Sequence, residues 1–291
     1  MSAMLTIYLS EILNTGAFST SFRLLDMMLM SVVSFVVAVM IHELGHALAF
    51  VCQKVHVKAI FILFIGIVFR KKPKIVFDMT MLLLLGGIVI PKAFVIHDQH
   101  DLNVASKKLR MSLLAGPITS NIWLLVIFVS ALVIKTPTMM YALFWTLTYT
   151  MLFTRSFFVK QGLMIGDIQA YQFIKDHEDY LVLILLQLSK QQGYDHQTAQ
   201  FLYEKALNHL NEVSRIQTRK DYLLLQFVCD GYRLGYLKKT DELPLFIKKV
   251  SMKRKIPKQY MSILPTLLYV LIMYEKMDTA THLYQFMLHY N

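Results

Sequence analysis

A chain of 291 residues in which 56% of side chains are hydrophobic and only 17% charged departs from the roughly 25% charged mix of soluble domains, which excludes a protein solvated by water alone. Its net charge of +11 raises phosphate partners. However, ten of the fourteen Lys and Arg in the first 174 residues lie between residues 54 and 110, flanked by apolar segments, which is an orientation signal for a membrane chain and not a nucleic-acid footprint.

Residues 1–23 lack the basic start of a cleavable signal, and they read as an interfacial helix or an additional short span. Leu24 to Val51 is nearly continuous apolar sequence broken by Asp26 and HELGH, long enough to cross a bilayer as a helix. The next two apolar runs, residues 59–69 and 79–90, are too short for ordinary spans and read as strands or a re-entrant hairpin. Such backbone survives at membrane depth only against protein or a water-filled cavity, so the hairpin is expected beside the site. Met111 to Ile134 and Met139 to Val159 are two further spans joined by the Lys135-Thr136-Pro137-Thr138 turn. Pro117 is read at the first turn of its helix, where a missing N–H does no harm. Gly45, Gly86, Gly87 and Gly116 are read as points of close approach.

From residue 175 the chain becomes charge-rich and helix-forming, with apolar residues at helical spacing in 201–210, 221–237 and 263–274. LYEKAL resembles one helix of a tetratricopeptide repeat, yet the internal similarity between residues 198 and 279 does not fit a 34-residue period. An array of helical hairpins and an unrelated bundle both remain open. Lys248-Lys249 and Lys253 to Lys255 are read as a solvated face, with anionic lipid as the alternative. Cys52 and Cys229 are read as free thiols. The expected fold is an all-α polytopic membrane protein. It has an N-terminal segment (1–23), a three-span core with a membrane-embedded β-like hairpin (24–174) and a cytoplasmic helical domain (175–291). If the basic 54–110 segment is cytoplasmic, His42 to His46 lie near the cytoplasmic end of the first span.

His42-Glu43-Leu44-Gly45-His46 fits H-E-x-x-H on a helix, where residues i and i+4 share a face and two imidazoles reach one zinc ion. Glu43, next to the first histidine, would act as general base toward water and then as acid toward the leaving amine. A carboxylate and two histidines inside an apolar span are costly without a partner or a function.

HELGHALAF in the first long span, LGGIVIP at 85–91 and AGPITSN at 115–121 resemble the site-2 proteases, intramembrane zinc metalloproteases of bacterial and other types. The resemblance covers about residues 24–172. It implies Asp167, in GLMIGDIQAY, as third zinc ligand, although the family's aspartate normally sits in a proline-containing segment and precedes Gly, where this chain has Ile168 and no Pro. It implies Asn121 as a group holding the substrate backbone or the oxyanion. His97-Asp98-Gln99-His100-Asp101, read as a polar loop, is the rival source of a ligand; Asp78 and His56 are read as interfacial. The family implies a multi-pass protein of the cell membrane. Its substrate would be a membrane-associated protein or a small secreted or signalling peptide to be matured, with the cytoplasmic helical domain recruiting a protein partner or the substrate. Two other classes stay in view: a non-catalytic scaffold, immunity or transport-accessory protein, and a transporter. The latter has only Asp26, Asp78 and Arg155 to build an ion path.

Overall fold

The computed structural model describes residues 20–69, 72–79, 86–134, 136–157, 166–214, 216, 218–238 and 263–290. Residues 1–19, the end of the third expected span and the Lys248 to Lys255 charge runs lie outside the described residues. The chain divides into two compact units. One contains residues 1–92 and 108–172, the other residues 93–107 and 173–291.

In the first unit, helix α1 (Thr20–Cys52) is about 50 Å long at 1.5 Å per residue. It ends in a Schellman turn: Val55 N–H donates to the Phe50 carbonyl and Lys54 N–H to the Val51 carbonyl, both at 2.9 Å, with Lys54 in the left-handed region at φ 59°. The chain then enters a four-stranded antiparallel sheet of β1 (Val57–Ile62), β2 (Ile65–Val68), β3 (Lys74–Phe77) and β4 (Gly87–Pro91), in the order β3-β2-β1-β4. The 59–69 run is therefore two strands reversing at Leu63-Phe64, with Ile62 opposite Ile65. The 79–90 run contributes β4, which pairs with β1 from Gly87 opposite Ile62 to Pro91 opposite Val57. Ala59, Phe61 and Ile90 form the buried face of this sheet, and β4 lies at its edge.

Helix α2 (Gln99–Ile134) spans 36 residues. It begins twelve residues before the apolar run, because Asp98 caps its N-terminus by accepting from Asp101 N–H at 2.8 Å. This corrects two expectations. Residues 99–101 are helix and not loop, and Pro117 lies in the helix interior and not in its first turn. There it removes the N–H that would meet the Leu113 carbonyl. Helix α3 (Pro137–Phe157) folds back on α2 around Ala131, Met140 and Leu143. Among the described residues, the helices covering Met27–Cys52 and Gln99–Ile134 are long and apolar enough to cross a membrane. Helix α3 has 21 residues but carries Tyr141, Thr146, Thr148, Tyr149 and Thr150. Leu29, Val32, Val33, Ile122, Leu125 and Val129 all face outward, an arrangement that water would penalise and lipid does not. Helix α4 (Asp167–Asp176) starts in this unit.

The second unit stacks α5 (Glu178–Gln192), α6 (His196–Glu212), α7 (Arg219–Arg233), α8 (Ile263–Met273) and α9 (Met277–Tyr290), each packed on the next. Leu185, Leu202, Leu210, Leu224 and Leu267 are fully buried. Asp195 caps α6 through Thr198 N–H at 2.9 Å, and Thr218 with Asp221 forms a capping box on α7. Asp179 joins the three helices by pairing with Lys220 and with His209. Ile96 and Leu102, from the 93–107 stretch, are part of this core at 0% exposure. Ile96 N–H donates to Thr198 Oγ1 at 2.9 Å.

Candidate metal centre

Helical spacing on α1 puts His42 and His46 one turn apart on one face, and their Nε2 atoms lie 3.2 Å from each other. Asp167, the first residue of α4, places Oδ2 2.9 Å from His42 Nε2 and 3.4 Å from His46 Nε2. Among the described residues, this is the group of three His, Cys, Asp or Glu side chains whose donor atoms converge closely enough to hold a metal ion. Glu43 is 5% exposed and turns toward the sheet, where its carboxylate meets the backbone of Gly87.

Each histidine is held from behind by α2. His46 Nδ1–H donates to the Ser112 carbonyl at 2.7 Å. A carbonyl only accepts, so Nδ1 carries the proton and the Nε2 lone pair is left facing Asp167 and His42. Ser112 Oγ returns a bond to the His46 carbonyl at 3.2 Å. His42 Nδ1 lies 3.0 Å from Ser120 Oγ, and Phe153 of α3 stacks on the His42 ring with centroids 6.2 Å apart. Gly116 sits between the two serines. A Cβ there would lie 2.5 Å from His46 Nε2 and 2.8 Å from His42 Cε1, so only a glycine lets both rings settle on α2. Gly87 does the same for Glu43, whose Cδ would be 2.7 Å from an added Cβ. Gly45 is closed in by Thr119 and the Ala115 carbonyl.

A family model, Peptidase family M50, matches residues 30–276. The chain belongs to peptidase family M50. No curated protein and no solved structure matches it. As a member of M50 it is a protease, and with two apolar helices of spanning length it is a membrane protein.

The donor set of this M50 peptidase suits zinc, which takes imidazole and carboxylate ligands in catalytic sites. Ligand atoms 2.0 to 2.2 Å from a tetrahedral zinc stand about 3.3 to 3.6 Å apart. The three separations of 2.9, 3.2 and 3.4 Å lie at or a few tenths of an ångström below that edge length.

The other sequence candidates sit elsewhere. Asp98 and Asp101 cap α2, with Asp101 also accepting from His97 N–H at 3.1 Å. His97 lies 3.5 Å from Asp195. His56 is exposed, and Asp78 N–H closes the β2-β3 hairpin on the Phe64 carbonyl. Asn121 is exposed, and its amide donates to the Pro117 carbonyl at 2.8 Å. Sequence reasoning overlooked Ser112 and Ser120. A signal for them was present: Ser112, Gly116 and Ser120 recur every four residues and so form one small-residue stripe on α2.

Proposed function

We propose that this M50 peptidase is a zinc-dependent intramembrane enzyme that hydrolyses a peptide bond in a membrane-associated protein or a small secreted or signalling peptide. The observation that supports it most is the convergence of His42 Nε2, His46 Nε2 and Asp167 Oδ2. Zinc bound there would supply Lewis acidity and bring the pKa of a water to around 7. Glu43 takes the proton of the attacking water and hands it to the leaving amine, held for both transfers against Gly87. Edge strand β4, whose Gly87 backbone meets Glu43, has no second strand partner among the described residues, and its edge beyond Gly87 is where an extended substrate aligns by strand addition. Asn121 assists by holding the substrate backbone or oxyanion with the part of its amide not engaged by Pro117.

Helix α3 acts as the third span, and the apolar sheet serves as the membrane-embedded hairpin element, giving a multi-pass core over residues 24–174. The helical region over 175–291, built from stacked hairpins, is the cytoplasmic domain that recruits a protein partner or the substrate. Processing of small peptides is the reading favoured for so compact a core. The scaffold reading requires Glu43 to be dispensable.

The test is cleavage and zinc content of the detergent-purified protein. Glu43→Gln is expected to lower hydrolysis by about 10²-fold or more and to retain about one zinc per chain through a chelator wash; His46→Ala and Asp167→Ala bind the metal only weakly and lose the zinc in that wash. Hydrolysis unaffected by Glu43→Gln would overturn the enzymatic reading, and zinc retained by Asp167→Ala would move the third ligand elsewhere.

A further inference from the structure

We propose that Arg110 of α2 and Tyr171 of α4 form a positioning pair that holds α4 in register with α1, so that Asp167 reaches His42 and His46. The inference rests on the zinc reading above and identifies what keeps its third ligand in place.

Asp167 opens a helix of only ten residues, a length that does not hold its shape in isolation and depends on tertiary contacts. Tyr171 follows one turn later, on the same face as Asp167. The Arg110 guanidinium carbon stands 5.1 Å from the Tyr171 ring centroid, within the range of a cation–π contact, and Nη2 donates to the Tyr171 hydroxyl at 3.4 Å. At that length the hydrogen bond is weak, and the stacked face carries the contact. Arg110 lies two residues before Ser112, whose carbonyl fixes His46. Helix α2 thus supports all three donors: His46 from Ser112, His42 from Ser120 and, through Tyr171, Asp167. Among the described residues the buried Arg110 Nε finds no hydrogen-bond partner. An arginine present only to reach polar headgroups would leave its guanidinium to water. Here the guanidinium lies over the Tyr171 ring instead, a stacked contact that a flexible lysine does not reproduce.

The experiment uses the full-length protein in detergent, loaded with zinc or, as a spectroscopic probe of coordination, with Co(II). Arg110→Ala and Tyr171→Ala are each expected to weaken zinc about ten- to a hundredfold, the usual effect of losing an outer support of a ligand. Each should also shift the visible Co(II) bands toward those of Asp167→Ala. Tyr171→Phe, which keeps the ring face, retains most of the affinity, and Arg110→Lys recovers only part of it. Adding Arg110→Ala to Asp167→Ala costs nothing further in affinity, because the pair acts through that carboxylate. If Arg110→Ala fails to fold, Tyr171→Ala carries the same test. Wild-type affinity and Co(II) spectrum in the alanine variants, or full additivity with Asp167→Ala, would overturn the positioning role while leaving the zinc site standing. A wild-type protein that binds neither metal overturns the zinc reading itself, and the positioning role with it.

Discussion

At the scale of single residues, the histidines are oriented by a hydroxyl and a carbonyl of α2. His42 leans on the Ser120 hydroxyl at 3.0 Å. Ser120→Ala removes that partner, frees the ring to change tautomer and is expected to weaken zinc about ten- to a hundredfold, measurable by competition with a chelator. Gly116→Ala tests two opposing effects. Alanine is the better helix former by about 1 kcal/mol, but its methyl would stand 2.5 Å from His46 Nε2, an overpacking cost of about 1 to 3 kcal/mol, so the thermal midpoint should hold or fall and zinc should be lost. A thiol comparison checks packing in the second unit. Burial pushes Cys229 up to about 12, so it stays protonated and unreactive in the folded protein at pH 8, whereas Cys52 is exposed. Mass spectrometry after brief alkylation should therefore find Cys52 modified and Cys229 not. That His42 and His46 converge, with Glu43 beside them, was legible from their spacing alone. That Asp167 meets them was legible only by resemblance, since it lies 121 positions after His46 and nothing local marks it. Ser112, Gly116 and Ser120 had the right period, but periodicity names a face without naming what that face meets.

Among the elements, the approach of β4 to α1 is the one most directly tied to chemistry. Gly87→Ala would put a methyl 2.5 Å from the Phe61 carbonyl and 2.7 Å from Glu43 Cδ. Because the zinc-facing atoms of His42 and His46 are untouched by this change, the variant is expected to keep its metal and lose hydrolysis, the reverse pairing to Gly116→Ala. Zinc content and cleavage measured on the same sample separate the two. The short apolar runs announced extended structure correctly. The hairpin inside 59–69 was hidden because its turn uses Leu63, at φ 54°, where the usual turn signals are glycine or asparagine. The start of α2 was hidden for a different reason. The cluster at residues 97–101 is polar and suggested a loop, whereas Asp98, accepting from Asp101 N–H, caps a helix that starts at Gln99. Pro117 then had to fall in mid-helix, where Thr119 Oγ1 lies 2.9 Å from both the Ala115 and the Gly116 carbonyls.

For the whole molecule, the two units are not two consecutive lengths of chain. Residues 93–107 leave the first unit after β4, enter the core of the second through Phe94, Ile96, Leu102 and Ala105, and return along α2. Composition cannot reveal this, because the stretch lies in sequence between two segments of the membrane core and contains no boundary signal. A protein cut at residue 180 loses the partners of Ile96 and Leu102, each of which gains about 1.5 to 3 kcal/mol from burial. The expected outcome is a drop in folded yield and rapid proteolysis within residues 93–107, seen by gel filtration and limited digestion. Cleavage and zinc content should therefore fall together.

A chain leaving the ribosome at 5 to 20 residues per second reaches Leu267, fully buried in the core of the second unit, roughly 7 to 27 s after residue 134. Through that interval β4 and the later part of α2 have already been made and can enter the bilayer, while Ile96 and Leu102 have no core to enter. The support for the histidines is thus synthesised early. The 93–107 stretch waits, apolar and uncovered, for helices made later in the chain, and a chaperone that covers it would have that window in which to act.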